Sequence, residues 1–144
     1  FVNETIETLQ SNIEEVGLTH LQLHGDETPE FCRALPYPVI KAIRIESEAD
    51  LDKISQYECE YILVDSPTGK YRGGNGTTFD WKLFESTNLD NLILAGGLTA
   101  ENVLPACNFV KPIMVDVSSG VETNGKKDDE KIKSFIKKVK LGGI

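Results

Sequence analysis

The sequence predicts an α/β protein made of repeated strand–helix units, on three observations. Short apolar, β-branched runs recur along the chain. Stretches with helical spacing and start signals separate them. Polar or glycine residues gather directly after the runs, in LHGDE, VDSPTG, AGGLT and VDVSSG. Strand ends fall roughly 20 to 30 residues apart, a pace that suits right-handed crossovers in a parallel sheet. An open doubly wound sheet and a closed eightfold TIM barrel both fit, and the crowding of polar residues on one rim favours the barrel.

The strand-like runs are HLQL at 20–23, VIKAI at 39–43, YILV at 61–64, LILA at 92–95 and PIMVDV at 112–117. Each has the apolar continuity of an interior strand, and Phe1-Val2 reads as the tail of another. Asn3 stands before Ile6, Leu9, Ile13 and Val16, so a helix is expected to open there. Thr28 with Pro29 begins the next helix, and Ser47-Glu-Ala-Asp50 approximates a capping box. Thr99 precedes AENVLPA, and Asp128 precedes Ile132, Phe135, Ile136 and Val139. A full barrel needs at least about 200 residues. Residues 1–144 therefore read as a single domain, a partial barrel of about five complete β/α units. The first two strand–helix units and part of the third are expected to be absent.

Fifteen Lys and Arg against 23 Asp and Glu leave a formal charge of -8. Nonspecific attraction to nucleic acid or to an anionic membrane is disfavoured, so an anionic ligand must be held locally. No stretch approaches the roughly 20 apolar residues of a membrane span, and FVNETIETLQ lacks a signal-like core. A cytoplasmic protein is expected. Cys32, Cys59 and Cys107 have no metal-type spacing and read as buried, reduced thiols. The tail KKDDEKIKSFIKKVK has apolar residues at helical spacing, so its charges are expected on the solvated face of a last helix.

The rim residues carry the chemistry. Gly96 and Gly97 let backbone amides approach an anion, and a helix beginning near Thr99 would aim its positive end at the same place; a plain tight turn is the other reading. Ser118, Ser119 and Gly120 follow the next strand and can add hydroxyl and amide donors, as phosphate sites after the last two strands of barrels do. Asp65 ends a hydrophobic strand. A carboxyl there loses solvation in its charged form, which suits a proton donor, although a loop cap would use the same residue. Asp116, beside the phosphate loops, fits a hydrogen bond to a sugar hydroxyl or structural bracing. His24 could orient an aromatic or carboxylate group, or be a rim histidine satisfied locally. His20 begins its strand and reads as structural. Lys41 interrupts VIKAI, so its stem should fill the interior while its ammonium pairs with a carboxylate; a Schiff-base lysine is the alternative.

Taken in order, LQLHGDE, VDSPTGKYRGGNGTTFDW, ILAGGLTAENV and VDVSSGVETNGKKD resemble the phosphoribosylanthranilate isomerase family over nearly the whole chain. The resemblance implies an eightfold barrel of tryptophan biosynthesis. It implies an Amadori rearrangement of N-(5-phosphoribosyl)anthranilate to 1-(o-carboxyphenylamino)-1-deoxyribulose 5-phosphate by acid–base chemistry, with no metal or organic cofactor. It assigns Asp65 as general acid, and His24 and Asp116 to the substrate cavity. Gly74, Gly76, Gly96, Gly97, Ser118 and Ser119 become phosphate contacts, the 73–76 loop closing over the phosphate side. The implied partner is the small phosphosugar–anthranilate substrate, with neither nucleic acid nor membrane.

One departure bears on activity. The family's base is a cysteine in an Ile-Cys-Gly type motif on the first strand, and an arginine after the second strand is expected to hold the anthranilate carboxylate; neither region is present. Cys32 and Cys107 are expected in helices and Cys59 before a strand. The chain alone is therefore expected to be inactive or nearly so. The competing readings are a noncatalytic partial barrel and one piece of a split enzyme, which would take a complementing N-terminal segment, or a fused tryptophan-pathway enzyme as neighbour.

Overall fold

Thr5 opens the first helix, α1 (Ile6–Val16), by accepting the amide of Thr8, and Gly17, left-handed at φ 73°, closes it on the carbonyl of Ile13. This cap lies two residues past the expected Asn3. Asn3 is instead left-handed itself (φ 52°), and its side chain holds the loop after the first strand rather than a helix end. The computed structural model describes residues 1–65, 84 and 89–144. Its further elements are β1 (Leu21–Leu23), α2 (Pro29–Ala34), β2 (Val39–Arg44), α3 (Glu48–Ile54), β3 (Tyr61–Asp65), β4 (Leu92–Ala95), α4 (Val103–Val110), β5 (Met114–Val115), a 3-10 turn (Ser119–Val121), β6 (Glu122–Thr123), β7 (Lys126–Lys127) and α5 (Asp129–Leu141).

The capping signals for α2, α3 and α5 act as expected. Thr28 accepts the amide of Phe31 ahead of Pro29, and the Asp50 carboxylate accepts the Ser47 amide and hydroxyl. The Asp128 carboxylate accepts the amides of Glu130 and Lys131. At α4 the start is displaced. Asn102 stands at its N-cap, because its side chain ties residues 97–102 into a lead-in turn before the helix begins.

The five main strands form one sheet in the order β1-β2-β3-β4-β5. β1 pairs parallel with β2, Leu21 opposite Val39, and β4 pairs parallel with β5, Ile93 opposite Met114. Residues Phe1–Leu63 and Val64–Ile144 make two compact units, so β3 starts in the first and ends in the second.

In the first unit, Leu9 and Ile13 of α1 are buried with Leu21, Leu23, Cys32, Leu35 and Val39. The backbone of Phe1 extends the parallel ladder beside β1: its nitrogen donates to the Gln22 carbonyl at 2.8 Å and its carbonyl accepts the His24 amide at 2.8 Å. In the second unit all four residues of β4 are buried, α4 contacts α5, and Val103, Ala106, Cys107 and Phe135 of these helices are buried. The 112–117 run departs from an interior strand. Only Met114 and Val115 are regular, and Ile113 and Met114 are 45% and 47% exposed, because β5 is the last strand of the order.

Lys41 is 2% exposed and Glu27 6%, and their charges meet at 3.0 Å. The Lys41 ammonium also donates to the carbonyls of Leu23, Gly25 and Ala42 and lies 5.9 Å from the centre of the Tyr57 ring. Burial alone would push the Glu27 carboxyl up, but hydrogen bonds from the Asn3 amide and the Lys41 ammonium outweigh it and hold the acid below its ordinary value. Removing one partner leaves a buried, unpaired charge, whereas replacing both leaves only neutral main-chain groups to find other partners, a smaller cost. K41M is expected to lower stability by about 3–5 kcal/mol and K41M/E27M by much less, as read by urea unfolding at pH 7. The depressed Glu27 contributes stability that is fully present above the unfolded carboxylate value of about 4.3 and is lost as pH falls through the folded value. Repeating the urea series down to about pH 3 is expected to show a smaller acid-induced loss in K41M/E27M than in the parent.

Candidate active site

The second unit carries most of the predicted site. Asp65 is half-buried at the C-terminal end of β3, behind Ile62, Leu63 and Val64, all buried. Gly96 and Gly97 follow β4 with φ of 84° and 56°, left-handed conformations in which a side chain would be strained. The Asp116 amide donates to the Leu94 carbonyl at 2.8 Å, which seats this exposed acid just past β5.

Two candidate phosphate loops are brought together here, and the contact is backbone on backbone. A Cβ placed on Gly120 would stand 1.7 Å from the Leu98 carbonyl oxygen, so only glycine lets the 118–120 loop lie against the 96–98 loop. The helix contribution differs from expectation. The Thr99 amide, which would have faced an anion, donates to Asn102 Oδ1 at 2.8 Å, and Asn102 Nδ2 donates to the Gly97 carbonyl at 2.9 Å. The lead-in turn satisfies itself, so the loops rather than the α4 terminus are left as candidates to meet a ligand.

Lys127 is the residue that sequence reasoning missed. The expected solvated tail begins instead with a hairpin, in which β6 and β7 pair antiparallel around Asn124 (φ 53°) and Gly125 (φ 74°). Asn-Gly between two short strands is the local signal that could have revealed it. The hairpin carries Lys127 back to the loop. Its ammonium donates to the carbonyl and hydroxyl oxygens of Ser118 at 3.0 and 3.1 Å and pairs with Glu122 at 2.7 Å. Ser118 thus has an ammonium donor beside it, whose charge the Glu122 carboxylate balances.

His24 belongs to the first unit, exposed directly after β1, and His20 bonds through Nδ1 to Thr19 Oγ1 at 3.0 Å with its ring near Tyr61. The buried Lys41 meets a carboxylate, as its pattern predicted. Gly74 and Gly76, with the rest of the 73–81 motif, lie outside the described residues. Cys32 and Cys107 sit within α2 and α4, and burial pushes both thiols up. Cys59 precedes β3, and burial with the neighbouring Cys32 pushes it up to about 12. None of the three is a ready thiolate base. Among the described residues no cluster of three or more His, Cys, Asp or Glu could hold a metal ion, and no helix is long and apolar enough to cross a membrane.

Parallel strands alternating with helices, with glycine and serine loops after successive strands, define a TIM-barrel-like enzyme. The family model described as N-(5'phosphoribosyl)anthranilate (PRA) isomerase matches residues 1–138. The N-(5'-phosphoribosyl)anthranilate isomerase of Bacillus cereus is 52% identical over 143 residues, 97% of this chain and 71% of the relative. The crystal structure of phosphoribosyl anthranilate isomerase from Thermotoga maritima superposes with a TM-score of 0.84 at 44% identity, covering 98% of this chain and 71% of that one. A phosphoribosyl anthranilate isomerase structure in complex with reduced 1-(o-carboxyphenylamino)-1-deoxyribulose 5-phosphate gives a TM-score of 0.83 at 40% identity, covering 98% and 69%. The chain belongs to the phosphoribosylanthranilate isomerase family, isomerases of tryptophan biosynthesis.

The Gly120 contact is open to test. G120A must displace one of the two loops, and is expected to lower stability on the order of 1–3 kcal/mol. It is also expected to abolish any rise in melting temperature produced by inorganic phosphate, measured by thermal unfolding with and without the anion.

Proposed function

We propose that the chain supplies the acid and the phosphate-binding part of a phosphoribosylanthranilate isomerase. The single observation that carries this reading is the locked pair of loops at 96–98 and 118–120 in the same unit as the half-buried Asp65. In the proposed reaction the Asp65 carboxyl protonates the ribose ring oxygen of N-(5-phosphoribosyl)anthranilate, and the C–O bond opens to a Schiff base. A base then removes the proton from the second sugar carbon, and the enolamine relaxes to the ketone. Gly96, Gly97, Ser118 and Ser119, together with Gly74 and Gly76, hold the phosphate; His24 and Asp116 bind the rest of the substrate. Lys127, held against Ser118 and charge-balanced by Glu122, braces that loop. A relative crystallised with the reduced product analogue supports the substrate class. Three free cysteines suit a reducing compartment, the cytoplasm.

The base is the remaining component. With Cys32 and Cys107 inside helices and Cys59 carrying a raised thiol, no cysteine of the described residues stands at a strand end. We therefore assign the 144-residue polypeptide a low intrinsic turnover. A proton-transfer partner contributes about 100- to 10,000-fold, and a loss of that size is expected when the chain alone is assayed with saturating substrate; a rate comparable to intact relatives would overturn the assignment.

A second reading, a split-enzyme module, is favoured by exposed apolar side chains at β5 (Ile113, Met114) and on α5 (Ile136, Leu141). A polypeptide carrying the first two strand–helix units is its complement. Mixing the two is expected to restore turnover, and D65N in the mixture is expected to remove about 100- to 10,000-fold of it. Full activity of the D65N mixture would exclude Asp65 as the acid.

A further inference from the structure

Around His24 the main chain is committed at every step. Its own amide donates to the Phe1 carbonyl at 2.8 Å. The carbonyls on either side, Leu23 and Gly25, accept from the Lys41 ammonium at 3.3 and 2.8 Å. The next amide, Gly25, donates to Glu27 Oε2 at 2.9 Å, the oxygen that also meets Lys41. From the other side Asn3 closes a clasp. Its amide donates to Glu27 Oε1 at 2.8 Å, its Oδ1 accepts the Asp26 amide at 2.7 Å, and its Nδ2 reaches Asp26 Oδ2 at 3.2 Å. Gly25 has to be glycine here, since a Cβ would stand 2.3 Å from Asn3 Oδ1. The Tyr57 hydroxyl, donating to the Glu27 carbonyl at 3.0 Å, finishes the cage.

A strand-to-helix turn does not need this. A short turn is ordinarily closed by one or two local bonds, whereas here a buried ion pair also takes up main-chain amides and carbonyls. Two of the four bonds of the interior cation go to the peptides that flank one exposed imidazole, and a left-handed Asn3 secures the far side. Such concentration of rigidity under a single side chain is what a recognition group requires of its support.

We propose that Lys41, Glu27 and Asn3 are positioning residues which fix the backbone of residues 23–27 and so set the direction from which the His24 imidazole meets the substrate. The inference rests on the substrate-binding reading of His24 given above. It assigns no proton transfer to Lys41 or Glu27, which act through the main chain alone.

The chain has two histidines, so His20 serves as an internal reference in an NMR spectrum of the imidazole protons. Two variants attack the support from opposite sides: K41M/E27M removes the interior pair without leaving an unpaired charge, and N3G removes the two side-chain bonds to Asp26 while keeping the residue 3 amide and its left-handed freedom. Each is expected to shift and broaden the His24 signals with His20 unchanged, and to weaken binding of reduced 1-(o-carboxyphenylamino)-1-deoxyribulose 5-phosphate on the order of tenfold. H24A should weaken binding similarly and show no additional loss when combined with N3G. Unchanged His24 signals in both variants would overturn the positioning role. Unchanged binding in H24A would overturn the reading of His24 itself, a separate failure, because the His24 signals of N3G still report whether the support orients the ring.

Discussion

Where Gly120 meets the carbonyl of Leu98, no side-chain atom fits between the two backbones. The candidate site depends on that constraint. The 118–120 loop can approach the 96–98 loop only as bare main chain, and its approach brings Ser118 and Ser119 toward the two left-handed glycines that follow β4. Both loops inherit their positions from strands: Gly96 from the buried β4, and Ser118 from β5, whose ladder is continued by the Asp116 amide on Leu94. Parallel strands end on a common side, so loops that follow neighbouring strands are neighbours too. A glycine at the point of contact turns that proximity into one surface with main-chain amides and hydroxyls on it.

Net charge works against anion binding over the chain as a whole, so hydrogen-bond donors at the loops themselves would have to hold an anion. At a formal charge of -8 the long-range field repels a phosphate, and salt screens such a field within about 8 Å at physiological ionic strength. Lys127, placed on Ser118 by the β6–β7 hairpin, lies inside that distance as a donor whose charge Glu122 balances. The first unit handles charge differently. There Lys41 and Glu27 are withdrawn from water, and the hydrogen bonds that hold Glu27 ionised are the same ones that fix the loop after β1. In one unit charge lies beside the candidate ligand loop; in the other it braces the backbone.

The cysteines bear on chemistry by what their surroundings deny them. A thiol becomes a useful base or nucleophile near cations or a helix N-terminus. Here burial outweighs the pull of the Lys41 charge on Cys32 and Cys59, and it moves all three away from the thiolate. Asp65 stands in the opposite relation to its strand, half-buried where the buried residues of β3 stop. In the proposed reaction Asp65 supplies the acid half of a proton-transfer pair, and none of the three buried thiols is suited to the other half.

Local chemistry was legible in advance wherever one residue decides its own backbone. Thr28-Pro29, the Ser47–Asp50 box and Asp128 each cap the helix they precede, and the apolar runs mark the strands and hence the rim on which Asp65, Gly96, Asp116 and Ser118 stand. That Lys41 would pair with a carboxylate also followed from its place in an apolar strand, since a buried ammonium must find a countercharge. Tertiary structure alone decided which carboxylate. Glu27 was chosen by the register of β1 against β2, which no local pattern contains. Asn3 was taken from a helix start to a clasp because a partner 23 residues away, Asp26, outbids the local cap that Thr5 supplies instead. Thr99 lost its expected role to the side chain of Asn102, and Lys127 gained one when a hairpin folded it onto Ser118. In each case the deciding bond joins residues that sequence periodicity does not relate, and only the packed chain sets the distance between them.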